Sequence, residues 1–236
     1  IYDPRLCVTD LTLNNYVKAV LDNPTLLNNF IASLTIALTA TLATVVCASM
    51  AVFGFSRKNV YGKVVLYNLI LMTLMVPLSS LVIPITQLNS RLGFLDHYSG
   101  LIFPYIALNI PYAVTILQGF MMGIPHELEE AAVIDGATRN KVFTIVVLPL
   151  LRPALATVAI YNLIPFWNDL WFPLIFINND AHKTLLLGVT RLFGQYMTDW
   201  SRILAVLTLS AIPVLVLYLT MSKNFIRGLT AGAVKG

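Results

Sequence analysis

Read as a pattern of apolar and polar positions, the chain is a series of long charge-free stretches joined by short polar ones. No Asp, Glu, Lys or Arg occurs in 25–56, 64–90, 97–126 or 203–222. Each stretch exceeds the roughly 18–20 residues that cross a bilayer as a helix. A fifth, 153–168, is slightly short, but beyond Asp169 the apolar Trp171–Ile177 extends it. In hydrocarbon the backbone must satisfy its own hydrogen bonds, so such stretches are expected to be α-helices. A β-barrel would show short alternating strands instead, and the pattern has none. The prediction is all-α: a polytopic transmembrane helical bundle, one domain over 1–236, with spans at about 29–53, 64–88, 98–122, 153–176 and 203–221.

Composition agrees with that reading. Of the 236 residues 58% are hydrophobic and 11% charged, against about 25% charged in soluble domains. The net charge of +4 need not mean nucleic acid, because basic residues gather on the cytoplasmic loops of membrane proteins. Loops 54–63, 123–152 and 222–236 hold nine basic residues, and 1–28, 89–97 and 177–202 hold six. Arg57, Lys58 and Lys63 crowd one very short loop of the richer set, which is therefore expected to be cytoplasmic. Five spans then leave the first residue outside. The chain starts with Ile1, and one more span is expected upstream, making six in the complete protein. Cys7 and Cys47 form no disulfide framework or metal site.

Seven prolines fall in the spans, at 77, 84, 104, 111, 165, 173 and 213. Each withholds a helical hydrogen bond and is expected to kink or interrupt its helix. Broken helices of this kind either are packing accidents or line a path, and their number favours a path.

The loop 123–152 opens with PHELEEAAVIDGA, where Glu127, Glu129, Glu130 and Asp135 are four of the chain's eleven acids. Pro125 suits the first helical position. The glutamates oppose the positive end of the helix dipole, and Gly136 stands where a left-handed terminator is expected. The segment reads as a discrete helix. Leu128, Ala131, Ala132 and Asp135 share one side, and Glu127, Glu130 and Ile134 another. Paired alanines allow close approach to a partner groove; the plainer reading is a solvated loop helix.

Glu130-Ala131-Ala132, three residues, Gly136, nine residues, then Val146-Val147-Leu148-Pro149 resembles the cytoplasmic loop motif of ABC importer permeases. Val146 stands where that motif has Ile. The surrounding IPHELEEAAVIDGA and the tail GLTAGAVKG resemble the sugar-importing branch, in particular the smaller permease of maltose-type systems, over essentially the whole chain. The resemblance implies a type I ABC importer permease in a bacterial or archaeal cytoplasmic membrane, multi-pass. It implies three kinds of partner besides membrane lipid: a homologous second permease, two ATP-binding cassette ATPases and an extracytoplasmic solute-binding protein. It also implies that the acidic helix sits in a cleft on an ATPase and moves with it as a lever. By position, Glu130, Ala131, Ala132 and Gly136 are the motif residues, and Glu127 and Asp135 flank them. ATP and Mg would belong to the partners, and this chain would bind no cofactor.

The chain has no G-x-x-x-x-G-K-[ST], no H-E-x-x-H and no G-x-S-x-G, so the residues point to no catalytic function of its own, no metal and no nucleic acid. His97, His126 and His182 lie in loops without ligand spacing. Asn109, Tyr112, Asn162, Trp167 and Asn168 are candidates for a substrate path, since aromatic faces stack on sugar rings and amides bond hydroxyls. Tyr161 and Asp169 belong to the same group. An interfacial aromatic belt is the alternative for Trp167 and Trp171. Asp169 would mark a membrane boundary or a wet cavity. In the loop 177–202, Gln195, Tyr196, Asp199 and Trp200 are candidates for contact with a binding protein, or else a solvated connector. Two other classes remain open: an ion-coupled secondary transporter, which predicts internal repeats and intramembrane ion pairs, and an integral membrane enzyme.

Overall fold

A computed structural model describes residues 13–21, 23–56, 61–192 and 200–233, the last segment with side chains at 200–216, 219 and 220. Every regular element among these residues is helical. In chain order they are α1 (Asn14–Leu21), α2 (Leu26–Ser56), α3 (Lys63–Met72), α4 (Leu78–Leu92), α5 (Ser99–Met121), α6 (His126–Ile134), α7 (Arg139–Lys141), α8 (Leu148–Leu150), α9 (Arg152–Asn168), α10 (Trp171–Phe176), α11 (Leu185–Val189) and α12 (Trp200–Ala233). A 3-10 turn at Thr73–Met75 follows α3, and a π-helical segment, Val142–Val147, joins α7 to α8.

The central contact runs between α2 and α5. On α2 the buried side is a stripe of small residues, Ala32, Ser33, Ala37, Ala40, Thr44 and Ala48, while Ile31, Leu34, Leu38, Leu42, Val46 and Met50 point outward. Small residues inside and large apolar ones outside is the arrangement of helices that pack closely within lipid. Two cores result. One holds Ile36, Leu101, Tyr105, Phe166, Trp167, Phe172 and Phe176. The other, toward α6, holds Val52, Val114, Leu117, Val142, Val147 and Leu151.

Two described helices, α2 and α5, are long and apolar enough to cross a membrane, and up to four spans result if each of two bent pairs counts as one. The stretch 64–88 is not one straight helix. Its two halves meet at 104°, because Val76 is extended (φ −82°, ψ 120°) ahead of Pro77, as the residue before a proline is disposed to be. The 153–176 stretch also divides. Helix α9 stops at Asn168, Asp169 is extended (ψ 129°), and α10 begins at Trp171. At its other end α9 meets the 139–150 helix at 74°. Helix α12 runs from 200 to 233, well beyond the expected 203–221.

The prolines, each expected to kink or interrupt its helix, do not all interrupt it. Only Pro77 lies at a break of its span; Pro84, Pro104, Pro111, Pro165 and Pro213 sit inside continuous helices, and Pro173 lies in the first turn of α10. Sequence reading also missed α1 and α11. The latter is seated on α2 where the Leu185 N–H donates to the buried Ser33 hydroxyl at 2.8 Å. A Cβ on Gly188 would collide with the Asn29 side-chain amide.

Candidate functional site

Helix α6 is a stop-and-start unit built from local signals. Pro125 is not its first helical residue; it stands just outside, extended at φ −60° and ψ 134°. Glu127 and Glu129 occupy the first turn, beside the unpaired N–H groups of the helix start. At the other end Gly136 adopts φ 82°. Its N–H donates to Val133 O (3.0 Å), and the Ala137 N–H reaches back to Ala132 O (2.9 Å). This pair of bonds is the Schellman terminator, which calls for a left-handed residue four places after the acceptor carbonyl. The spacing of Ala132 and Gly136 in the motif is thus the spacing of that terminator.

The helix has an inner and an outer face. Glu129, 2% exposed, and the half-buried Ala132 turn inward, Ala132 onto the core that contains Val142 and Val147. Glu127, Leu128, Glu130, Ala131, Ile134 and Asp135 turn outward, with Ile134 86% exposed. Ala132 therefore does not share a free face with Leu128, Ala131 and Asp135 as the helical wheel placed it. Beneath α6 lies the π-helical segment, where Phe143 packs on Phe53 with ring centroids 5.0 Å apart. The widened turn directly precedes Pro149, which withholds its donor from the i→i−4 ladder.

The second feature is a cleft of about 480 Å³. Both helix breaks line it: Thr73, Val76 and Pro77 from the first, Asp169, Trp171 and Phe172 from the second, with Tyr105, Asn109 and Tyr112 of α5 between them. Irregular backbone at membrane depth needs protein or a wet cavity around it. Asp169 ties the second break together. Its Oδ2 accepts the Tyr105 hydroxyl (2.7 Å) and the Phe172 N–H (3.3 Å), and its Oδ1 accepts the Trp171 N–H (2.9 Å). Tyr105 in turn stacks on Phe166, centroids 4.6 Å apart and nearly parallel.

Of the path candidates, Asn109 and Tyr112 line this cleft. Asn162 does not: it is fully buried and its Nδ2 donates to Val158 O at 2.8 Å within its own helix. Trp167 is a core residue, 5% exposed, packed edge-on to Phe30 and donating from Nε1 to Ser210 O (3.0 Å). Asn168 is exposed and outside the lining. Tyr161 sits beside Tyr112, ring centroids 5.8 Å apart. Tyr105 and Phe172 were missed, and their signal was slight. Asp169 two and three residues ahead of Trp171 and Phe172 has the spacing of an Asp that caps a helix start.

At the opposite end from α6 the chain makes a clasp. Asp96 has φ 62°, a conformation Asp tolerates better than most residues. Its N–H donates to Phe176 O (2.9 Å), its Oδ1 accepts the N–H groups of Asn179 (2.7 Å) and Asn178, and its carbonyl oxygen meets His182 Nδ1. Those two backbone donors, Asn179 first, hold the Asp96 carboxyl below the usual carboxylate range. His97 and His182, read as isolated loop residues, come within 5.8 Å ring to ring. Asp180 pairs with Lys183 (2.8 Å) and with Arg191. Among the described residues no group of three or more His, Cys, Asp or Glu could hold a metal ion. Trp200 opens α12 and is 57% exposed; Gln195, Tyr196 and Asp199 lie outside the described residues, as do Cys7, Arg57 and Lys58.

Comparison with known proteins adds the following. The family described as binding-protein-dependent transport system inner membrane component matches residues 40–231. A putative ABC transporter permease protein of a Caldicellulosiruptor species is 39% identical over 191 residues, 81% of this chain and 70% of its own length. The trehalose/maltose transport system permease protein MalG of Thermococcus litoralis is 36% identical over 231 residues, 95% of this chain and 82% of its own. The trehalose transport system permease protein SugB of Mycobacterium tuberculosis is 34% identical, with 99% and 86% covered. The crystal structure of a bacterial ABC transporter that imports the acidic polysaccharide alginate contains a chain of the same fold, TM-score 0.80, covering 92% of this chain and 80% of that one at 20% identity.

Proposed function

The chain belongs to the family of binding-protein-dependent transport system inner membrane components, and from that premise we propose that it is a sugar-importing permease subunit driven through α6. It would carry a sugar or oligosaccharide by alternating access. The residues that would meet the ATPase are those on the outer face of α6: Glu127, Glu130, Ala131 and Asp135. Ala132 and Gly136 would act by shaping the helix, one seating it and the other ending it. The observation that carries this reading is α6 itself. It is a short helix closed at its C-terminal end, seated on the chain's own core, with acids displayed outward. A stiff handle of this kind can pass a rigid-body movement to helices that are already broken.

ATP and Mg would be bound by two partner ATPases, and the chain would pair with a homologous permease and receive its solute from an extracytoplasmic binding protein. Helix α2, the bent α3–α4 pair, α5, the bent pair ending in α9, and α12 would be the five spans. The sugar class is supported by the trehalose and maltose permeases among the relatives and by the aromatic and amide lining of the cleft.

The test is uptake by the reconstituted complex. ATP-dependent accumulation of an oligosaccharide is expected, abolished when Glu130 and Ala131 are replaced by Lys and Trp although the subunits still assemble. Solute movement by the purified chain alone down a sodium or proton gradient would overturn the reading.

A further inference from the structure

We infer that the cleft between the two helix breaks is a subsite for an uncharged, hydroxyl-rich ring, and that Asp169 is the residue that turns anionic solutes away from it. The inference rests on the import reading above and adds the charge class of what passes.

The lining is one-sided in charge. Asp169 is its acidic residue, and no Lys, Arg or His stands among the described residues that form it. Most of the wall is apolar, with Val76, Leu81, Leu108 and Phe172 among its members. Charges beside such walls interact more strongly than they would in open water. A carboxylate or sulfonate on the solute would meet a like charge with no compensating cation.

The hydrogen-bonding capacity of the cleft points the same way. A carboxylate offers about four acceptor positions. On Asp169 three are engaged, two on Oδ2 by Tyr105 and Phe172 and one on Oδ1 by Trp171. The position left on Oδ1 can accept a donor from a solute. Asn109 has its Nδ2 committed to Tyr105 O at 2.9 Å, which leaves its Oδ1 as a second acceptor. These two acceptors suit a solute that brings hydroxyl hydrogens, whereas a solute carboxylate brings no hydrogen to either of them.

The rings supply the remaining contact. Tyr105 has one face covered by Phe166, centroids 4.6 Å apart, and is itself 3% exposed, so it contributes position and not surface. Trp171 and Tyr112 are 56% and 44% exposed and present ring area to the cleft. An amphipathic ring binds sugars by covering their apolar C–H faces while its polar handle stays free to bond.

The experiment uses the complete importer in lipid nanodiscs, without its binding protein, so that selection at the binding protein is removed. Equilibrium binding is measured for labelled maltotriose and for trigalacturonate, which has the same number of rings and carries three carboxylates. Maltotriose is expected to bind about tenfold or more tightly than trigalacturonate at low salt, a gap of the size a close like charge produces. Raising the ionic strength is expected to narrow that gap in the unmodified protein. Asp169→Asn removes the charge and keeps one acceptor oxygen, enough for the Tyr105 hydroxyl and the Phe172 N–H that share Oδ2, and is expected to narrow the gap to about threefold or less. Equal binding of the two probes overturns the inference, as does a gap that neither salt nor Asp169→Asn changes. A complex that binds neither probe but still hydrolyses ATP in response to its binding protein overturns the subsite and leaves the import reading standing. A complex with no ATP-driven uptake of any oligosaccharide defeats the import reading itself.

Discussion

The side-chain amide of Asn89 donates to the carbonyl oxygen of Gly100 at 2.9 Å. That oxygen needs an outside donor because Pro104, four residues on, has no N–H to offer it. Asn89 is 3% exposed, so the bond is made in a place where water cannot replace it. The two residues join α4 to the start of α5 across the turn that holds Asp96, and a Cβ on Gly100 would run into the Phe94 carbonyl oxygen. A proline in a continuous helix is thus answered by a side chain from the neighbouring helix.

Replacing Asn89 by Leu keeps the branched outline and removes the donor. We expect a loss of about 1–2 kcal/mol, the range for a buried hydrogen bond in water or lipid. It should be read as a lower unfolding midpoint of the purified chain in detergent. In a double substitution with Pro104→Ala, which restores the helical N–H, most of the loss should return. If the double variant is no more stable than Asn89→Leu alone, the bond has been assigned the wrong partner.

Gly136 has open space around its Cα, so its only demand is the backbone angle of φ 82°. Gly136→Val is expected to cost about 1–2 kcal/mol at that residue and to fray the last turn of α6. Gly136→Asn, which tolerates the left-handed region, should cost less. The measurement is the ratio of solute moved to ATP hydrolysed in the reconstituted complex. The order Gly, then Asn, then Val is expected, with assembly unaffected. An Asn variant as uncoupled as Val would mean that the conformation of residue 136 is not what matters.

The Asp96 clasp has a defined pH dependence. The folded carboxyl is held below the ordinary value of 3.8, chiefly by the Asn179 and then the Asn178 N–H. A group lowered on folding contributes its full stabilisation above its unfolded value and loses it as pH falls toward the folded one. The contribution is therefore constant at neutral pH and declines below about pH 4. Amide exchange at Asn178 and Asn179 should accelerate in that acid window in the unmodified chain. In Asp96→Asn exchange should be faster throughout, without the acid step. An unmodified chain whose exchange shows no extra step below pH 4 would count against the clasp.

What the sequence made legible was what local chemistry decides. Long charge-free runs produce α2 and α5, and the end of α6 follows from Gly136. Other features needed the fold. Seven prolines look alike in sequence, and what spares Pro104 is a donor on Asn89, fifteen residues away. Trp167 and Trp171 could not be told apart for a similar reason. Where both the protein interior and the surrounding lipid are apolar, hydrophobicity no longer says which side of a helix faces in. Trp167 is core and Trp171 opens on the cleft, though they lie four residues apart on either side of the Asp169 break. The histidine pair is invisible for another reason: His97 and His182 are brought together by Asp96, and its turn is set by tertiary bonds.

Ala131 and Ala132 are adjacent in the motif but differ in exposure, Ala131 exposed and Ala132 half-buried, so their enlargement should have different consequences. Ala132 packs onto the core beneath α6. Ala132→Leu adds three carbons where there is little room, and overpacking of this kind costs about 1–3 kcal/mol. We expect a destabilised chain whose α6 is displaced, visible as a lower unfolding midpoint of the isolated subunit. Ala131 is exposed, and Ala131→Leu should leave that midpoint within about 0.5 kcal/mol of the unmodified chain, as surface changes do. Its effect should appear only when the ATPases are present, as lost stimulation of ATP turnover. Measuring both variants, alone and in complex, separates the residue that seats the helix from the one that meets the partner. Equal destabilisation of the isolated chain by both would place Ala131 on the inner face and remove it from the docking surface.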